Sequence, residues 1–296
     1  KSQGKYQKLK SEVTGLLSSF PQSIALYDLL GMANYALEKY WESGDAYKQA
    51  LAISPNSPIL HYNLGNSLKA QGNLKEATIS YEKALPINSN TAEIFLNMAR
   101  TFQDHGSHKN AIKAYHKAIS INPNITEAYI NLGVILEIQG DLGMAINAYH
   151  SALLKDPGNN FASHKLAGIL QKRYGFQFVA ANPSLQDTIK SILDKNTLVR
   201  PSSISHSCLS LLKLEPAIRE LIHQNSRGKL INNYEKIVSD LSNLPLLLKL
   251  MSICPIANTE LELGFTSIRS LILESVLENS TNTDILKFQS ALALHC

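Results

Sequence analysis

Cysteine and tryptophan are scarce in this chain, which has three cysteines and one tryptophan among its 296 residues. Cys208, Cys254 and Cys296 lie far apart and form no CxxC pair. Because a disulfide framework or a zinc site needs a denser or more closely spaced set of thiols, this pattern favours reduced cysteines. The cysteine content therefore predicts a cytoplasmic protein.

The sequence also lacks the glycine motifs of nucleotide and cofactor sites. It contains no GxG, and only Gly175, Gly228 and Gly264 occur from residue 175 onward. No P-loop, GxSxG or HExxH motif is present either. Since a backbone turn that approaches a phosphate or a cofactor needs glycine, we predict that these residues bind no cofactor and carry no enzyme activity.

Histidine pairs give no convincing metal site. His105 and His108 are three residues apart, but two ligands alone hold a metal ion poorly, so we predict turn and packing roles for them. His116 and His150 lie 34 residues apart and are expected to form an exposed ladder.

No segment is suited to a membrane or to nucleic acid. The longest apolar run, Leu244 to Ala257, contains Lys249 and two prolines and is shorter than the roughly 20 residues that a membrane-spanning helix needs. The chain begins with no signal-peptide pattern. Its net charge is only +4, and the N-terminal lysines are interpreted as a solvated helix face. We therefore predict neither membrane nor nucleic-acid binding.

What the chain does contain is a period of 34 residues. Small residues and tyrosines recur at this interval at Gly31, Gly65, Ala99, Gly133 and Ala167, and at Tyr47, Tyr81, Tyr115 and Tyr149. Such a repeat is typical of a solenoid, in which each unit packs only against its neighbours. Gly65 is expected to face the ring of Tyr81, because a small residue lets two helices approach closely.

The turns within the repeats follow the same period. Glycine recurs at Gly72, Gly106 and Gly140, and Glu38 takes this position in the first repeat. Because a residue that ends a helix commonly has a positive φ, which glycine adopts without strain, we predict positive φ at the three glycines.

Two stretches resemble the tetratricopeptide (TPR) consensus nearly throughout: NLGNSLKAQGNLKEATISYEKAL, from Asn63, and NLGVILEIQGDLGMAINAYHSAL, from Asn131. The resemblance implies an all-α fold, a right-handed superhelix of paired antiparallel helices. It extends over residues 1–175, with a half repeat at 1–23, full repeats at 24–57, 58–91, 92–125 and 126–159, and a partial repeat at 160–175. The half repeat is expected either to follow an earlier helix or to act as a polar cap.

Residues 176–296 have helical patterning without the period and are predicted to form an irregular bundle of five or six helices. Ser184 to Asp187 is expected to form a capping box, and Leu261, Phe265, Ile268 and Ile272 make one apolar stripe. The stretches 244–255, 260–273 and 285–296 resemble the helical segment that joins TPR repeats to a methyltransferase domain in some bacterial proteins. This second resemblance implies a SAM-dependent catalytic domain beyond Cys296.

In the TPR family, the inner face of the first helix of each repeat usually binds a peptide or protein segment. Carried over by repeat position, this face in the first repeat comprises Ala25, Asp28, Leu29, Met32, Tyr35 and Ala36. The candidate peptide-binding residues from the later repeats are Tyr62, Asn63, Asn66, Lys69, Asn97, Arg100, Gln103, Asn131, Val134, Glu137, His164 and Lys165.

Asn63, Asn97 and Asn131 form a ladder that resembles the asparagine ladder in the TPR arm of O-linked N-acetylglucosamine transferases. Because an amide both donates and accepts hydrogen bonds, such a ladder can bind a peptide backbone without reading its side chains. The alternative is that these amides bond neighbouring helices. The residues alone leave both interpretations open.

The sequence leads to three functional hypotheses. The first is a protein-interaction module that binds an extended segment of a partner in the groove. The second is the substrate-recruiting arm of a larger transferase, either a methyltransferase or a glycosyltransferase. The third is a scaffold that forms homo-oligomers through its solenoid ends.

Overall fold

A computed structural model describes residues 2–85, 91–172, 177–194, 200–226, 234–253 and 261–268. These residues form helices and their connections, and none of them lies in a strand, which confirms the predicted all-α class. The chain divides into two compact units, Lys1–Ile135 and Leu136–Cys296, which are described separately. The domain boundary near residue 175 stays a prediction.

The first unit consists of helices in the predicted repeat order. They are α1 (Ser2–Ser19), α2 (Ile24–Ala36), α3 (Tyr40–Ile53), α4 (Pro58–Ala70), α5 (Leu74–Ala84), α6 (Thr91–Asp104), α7 (His108–Ile121) and the beginning of α8 (Thr126–Gln139). Within repeats α2 packs on α3, α4 on α5 and α6 on α7, and between repeats α3 packs on α4 and α5 on α6.

The same turn ends the first helix of each pair. After α4, the Gly72 amide donates to the Lys69 carbonyl and the Asn73 amide donates to the Leu68 carbonyl, both at 2.9 Å. This is the Schellman pattern, which satisfies carbonyls that a helix end leaves without partners. Gly72, Gly106 and Gly140 have φ of 81°, 73° and 85°, so the prediction of positive φ is confirmed.

Glu38 makes the same turn without being glycine. Its φ is 60°, its amide donates to the Tyr35 carbonyl at 2.9 Å, and the next amide, of Lys39, donates to the Asn34 carbonyl at 2.8 Å. The left-handed conformation brings the Cβ of an L-residue close to its own following carbonyl. The first repeat therefore keeps the turn geometry and carries the strain that glycine avoids.

A glycine on the first helix faces a tyrosine ring on the second, as predicted. A Cβ atom placed on Gly65 would lie 2.7 Å from Cε1 of Tyr81, and one placed on Gly31 would lie 2.6 Å from the ring of Tyr47. Such distances leave no room for a methyl group. Tyr81 and Tyr115 are fully buried, so these rings form the centre of the inter-helix packing.

Ser43 occupies a position where the later repeats have alanine. Its buried hydroxyl donates to the carbonyl of Gly31 at 2.8 Å and lies 2.9 Å from the hydroxyl of Ser67. Both contacts satisfy a polar group that would otherwise be costly to bury. The most divergent repeat is thus still closely packed.

Most exposed side chains of α1 are polar, and its expected role as a polar cap stays a prediction. Tyr6, Leu16 and Phe20 are all exposed apolar residues on this helix or at its end. Val13, one period before Tyr47, is buried. The half repeat therefore packs through its periodic core position and leaves other apolar side chains uncovered.

The second unit begins with the last turn of α8. It continues with α9 (Leu142–Lys155), α10 (Asn160–Leu170), α11 (Pro183–Asp194), α12 (Pro201–Leu212), α13 (Pro216–Ser226), α14 (Tyr234–Ser242) and α15 (Pro245–Ile253), and residues 261–268 are also helical. α9 packs on α10, and α15 packs on α11 and α12. The predicted helical patterning after the repeats is therefore present in the described residues.

Polar contacts connect these later helices to one another. The Ser207 hydroxyl on α12 donates to the Leu170 carbonyl at the end of α10, at 2.7 Å. Lys249 on α15 forms an ion pair with Asp194 on α11 at 2.8 Å, and hydrogen bonds from Lys249 and Lys190 lower the pKa of Asp194. These bonds connect α10 to α12 and α11 to α15 in a region where the 34-residue repeat no longer determines the packing.

Two details of the second unit differ from expectation or fall outside the described residues. The predicted capping box from Ser184 to Asp187 is wrong, because Asn182 caps α11 by accepting a hydrogen bond from the Leu185 amide at 2.9 Å. Leu261, Phe265 and Ile268 are buried as their apolar stripe predicts. Ile272 and the stretch 285–296 lie outside the described residues.

We expect Glu38→Gly to raise the free energy of unfolding by about 0.5–1 kcal/mol, because glycine adopts positive φ without the steric cost of a Cβ atom. Urea denaturation measures this change. Gln49→Gly, at an exposed position inside α3, is the matched control and should lower stability by about 1 kcal/mol. Loss of stability in both variants would contradict the strain assigned to Glu38.

Candidate functional site

The candidate residues of the first unit lie on three first helices: Tyr62, Asn63, Asn66 and Lys69 on α4, Asn97, Arg100 and Gln103 on α6, and Asn131 and Val134 on α8. The pKa of Tyr62 is raised, because burial outweighs the hydrogen bonds with Asn66 and Asn97 and the charge of Arg100, which lower it. Arg100 also lowers the pKa of Tyr35 on α2, which burial raises. These interactions bring side chains of α2, α4 and α6 to one face.

Two of the three ladder asparagines bond to the preceding repeat. Asn63 donates from Nδ2 to Oδ1 of Asp28 at 3.3 Å. Asn97 donates from Nδ2 to the hydroxyl of Tyr62 at 2.9 Å and to Oδ1 of Asn66 at 3.4 Å. The bonds to Asp28 and Tyr62 span 35 residues and the bond to Asn66 spans 31, so these amides connect successive first helices, which was the alternative interpretation of the ladder.

Asn131 is placed differently because the residue 35 positions before it is Leu96, which offers no side-chain acceptor. Its Nδ2 instead donates to Glu127 on the same helix, at 3.5 Å. This bond is exposed to solvent, whereas the bonds of Asn63 and Asn97 to the preceding repeat are partly buried.

The core tyrosines position two further candidate residues. The hydroxyl of Tyr81 donates to Oδ1 of Asn66, and that of Tyr115 donates to Oε1 of Gln103, each at 2.8 Å. Burial raises the pKa of both tyrosines, so the hydroxyls remain protonated donors near neutral pH. A ring in the core thus determines the orientation of a polar group on the inner face.

The two basic candidates on this face each form an ion pair with an acidic side chain. Lys69 lies 3.8 Å from Asp104, and Arg100 lies 3.3 Å from Glu127. Burial and the nearby charge of Arg100 lower the pKa of Lys69, while Asp104 and Glu127 raise it. This face therefore carries both positive and negative side chains, and neither charge predominates.

The twelve candidates omit an apolar stripe on α2. Leu29, Met32 and Tyr35 are 37%, 49% and 40% exposed and follow one another at intervals of three residues. The Tyr35 ring packs edge-on against Tyr40, with 5.3 Å between ring centroids. All three occupy repeat positions that the family resemblance assigns to the groove, so the repeat position alone would have identified them as candidates.

The remaining candidates, Glu137, His164 and Lys165, belong to the second unit. Oε2 of Glu137 accepts hydrogen bonds from Lys165 and from the Tyr149 hydroxyl, both at 3.2 Å, and Lys172 lies 3.8 Å from Oε1. His164 is exposed, and its Nδ1 lies 2.8 Å from the Asn160 carbonyl on its own helix. Glu137 and Lys165 are thus brought together, whereas His164 is bonded elsewhere.

The histidine predictions have mixed outcomes. His116 is exposed, but His150 is 7% exposed and its Nδ1 lies 3.0 Å from the Thr188 hydroxyl, so the exposed ladder is wrong at that position. Burial lowers the pKa of His150. Within the described ranges, no group of three or more His, Cys, Asp and Glu side chains is placed to hold a metal ion.

No helix in the part of the chain that the structure describes combines the length and the apolar character needed to cross a bilayer.

Models of the tetratricopeptide repeat match residues 31–72, 59–91, 92–125 and 114–147 of the sequence. Residues 31–147 belong to the tetratricopeptide repeat family. The TPR resemblance derived from the period is therefore confirmed. The ranges that these family models match end at residue 147, so the resemblance of residues 244–296 to a methyltransferase linker stays a hypothesis. No curated protein sequence matches the chain significantly.

Several solved structures share this fold. MamA has a TM-score of 0.50 at 22% identity, over 53% of this chain and 91% of MamA. PilW, described as a widely conserved type IV pilus biogenesis factor, has a TM-score of 0.51 at 15% identity, over 73% and 90%. The C-terminal part of a TPR repeat-containing protein from Cytophaga hutchinsonii has 0.53 at 13%, over 95% and 93%. At these identities the similarity concerns the TPR fold alone.

We expect Asn97→Ala to lower the free energy of unfolding by about 1–2 kcal/mol, because it removes two partly buried hydrogen bonds, to Tyr62 and to Asn66. Asn131→Ala removes an exposed 3.5 Å bond within its own helix and should cost less than about 0.5 kcal/mol. Urea denaturation of both variants measures the difference. Equal costs would contradict the distinction between the two asparagines.

Proposed function

We propose that this chain is a protein-interaction module whose first unit binds an extended segment of a partner along the inner faces of α2, α4 and α6. The observation that carries the proposal is the exposed apolar stripe of Leu29, Met32 and Tyr35. Contiguous apolar side chains that remain exposed on a folded surface commonly mark a site of association.

The stripe adjoins a row of side chains that are held in place. Asp28, next to Leu29 on α2, accepts the hydrogen bond from Asn63 on α4. Tyr62 in turn accepts the bond from Asn97 on α6. A partner that lies on this face therefore meets fixed groups and loses little affinity to the cost of ordering them.

The charges on this face favour a particular kind of partner. Since Lys69 pairs with Asp104 and Arg100 pairs with Glu127, a strongly acidic or basic ligand would have to compete with these ion pairs. An extended segment that places an apolar side chain on Met32 and Tyr35, and polar or mixed-charge residues beyond them, avoids that competition. The support for this proposal is exposure and charge pairing together with the TPR fold.

The test uses peptides selected for binding. A phage library of random 12-residue peptides is selected against the full chain, and the affinity of an enriched peptide is measured by fluorescence anisotropy. We expect Met32→Glu to weaken binding about tenfold or more, because it introduces a charge at the centre of the proposed apolar contact.

Ile79→Glu is the matched control, since Ile79 is 52% exposed on the second helix α5 and undergoes the same apolar-to-acidic change. It should leave the affinity unchanged. If every selected peptide binds Met32→Glu as tightly as the wild type, the inner face of α2 is not the binding surface.

Two alternatives remain separate hypotheses. Self-association through α1 is supported by the exposure of Tyr6, Leu16 and Phe20. The transferase-arm hypothesis depends on the resemblance of residues 244–296, most of which lie outside the described residues. Neither alternative requires the groove contacts proposed here.

A further inference from the structure

The second unit contains a pocket that includes none of the twelve candidate groove residues. It has a volume of about 260 Å³ and lies between the end of α9, the turn that follows, α10 and the side of α11. Leu153, Leu154, Pro157 and Ile192 provide its apolar lining. Such a lining suits the methylene groups of a small aliphatic chain.

The opposite lining is polar and comes mainly from α11. Ser184, Asp187, Thr188 and Ser191 follow one another at i, i+3, i+4 and i+7, so they share one face of the helix over two turns. The Thr188 hydroxyl donates to the Ser184 carbonyl and is bonded to His150. Thr188 is therefore already satisfied, which leaves the serines and Asp187 to face a ligand.

Asp187 is the charged group of the pocket. Its side chain is exposed, and among the described residues no lysine, arginine or histidine forms an ion pair with it. By contrast, Asp194 on the same helix pairs with both Lys190 and Lys249. An unpaired carboxylate beside an apolar wall attracts a cation and repels an anion.

Ser163 on α10 provides the second, independent observation. It lines the pocket, is 1% exposed, and its hydroxyl oxygen has no hydrogen-bond partner among the described residues. Buried hydroxyl groups are nearly always bonded, because an unsatisfied polar group costs free energy. A ligand with hydrogen-bond donors would supply the missing partner.

These features together select a ligand chemistry. A purely apolar ligand would leave the buried Ser163 hydroxyl without a partner and gain nothing from the Asp187 carboxylate, and an anion would be repelled by that carboxylate. We propose that the pocket binds a cationic aliphatic side chain, lysine or arginine, of a partner polypeptide. The methylene groups would pack against Leu153 and Ile192 while the charged end reaches Asp187, in the way that such side chains commonly bury their stems and keep their charge in a polar setting.

The test titrates the isotope-labelled full chain with small probes of that side chain and follows backbone amide resonances by NMR. n-Butylammonium and n-butylguanidinium carry the proposed charge, whereas n-butanol and butyrate have similar length without it. We expect saturable shifts at Ser163, Asp187 and Ser191 with at least one cationic probe. Binding of n-butanol and butyrate should be about fivefold weaker or undetectable, as is typical for loss of one partly exposed ion pair.

Two variants separate the ligand contacts from structural effects. Asp187→Asn keeps the shape of the side chain and should weaken cation binding about threefold to fivefold, whereas Asp240→Asn, at an exposed carboxylate on α14, should not change it. Ser163→Ala should weaken binding without lowering the melting temperature, since no described residue hydrogen-bonds its hydroxyl.

The outcomes are distinct. Saturable cation binding that Asp187→Asn weakens supports the proposal. Absence of saturable shifts, equal binding of n-butanol, or equal binding by Asp187→Asn would overturn it. Because no candidate groove residue is changed, failure here leaves the peptide proposal for the first unit unaffected.

Discussion

The structure of the first two full repeats depends on contact between a tyrosine ring and the bare Cα of a glycine. Gly65 and Tyr81 approach so closely that even a methyl group does not fit between them, and Gly31 and Tyr47 do the same one repeat earlier. Protein interiors are packed too densely to absorb an added atom without displacement of a neighbour. In these two repeats the contact therefore sets how closely the two helices pair, whereas in the third repeat Ala99 stands at the glycine position and Tyr115 is still fully buried.

The same tyrosines connect the core to the inner face. Tyr81 buries its ring and bonds Asn66 through its hydroxyl, and Tyr115 does the same with Gln103. In the second unit Tyr149 bonds Glu137 in the equivalent way. Because core packing holds the polar residues of each first helix, the face that we propose for partner binding is organised before any partner arrives.

Most of the repeat structure could be predicted from the sequence because it depends on local, recurring relations. Helix pairs, positive φ at the turn glycines and the contact of Gly65 with Tyr81 all follow from the period. The role of each groove residue follows less directly, since it depends on what lies 35 positions earlier: Tyr62 accepts a bond from Asn97, whereas Leu96 offers none to Asn131.

Outside the period, sequence patterns failed where packing between distant segments decides the outcome. Asn182 rather than Ser184 caps α11, and α11 covers His150, which the repeat alone placed at the surface. The pocket beside Ser163 has the same origin, because it forms only where α11 packs near α9 and α10.

The central claim concerns the glycine–tyrosine contact. A double-mutant cycle of Gly65→Ala and Tyr81→Leu, with the free energy of unfolding measured by urea denaturation, tests this claim most directly. Leucine makes room for the methyl group of the new alanine. The account therefore predicts that the double variant loses at least about 1 kcal/mol less stability than the sum of the two single losses. A control cycle combines Tyr81→Leu with Gly15→Ala, because an added Cβ on Gly15 meets no atom within 4 Å, and its losses should be additive. Strictly additive losses in the Gly65→Ala cycle as well would contradict the account.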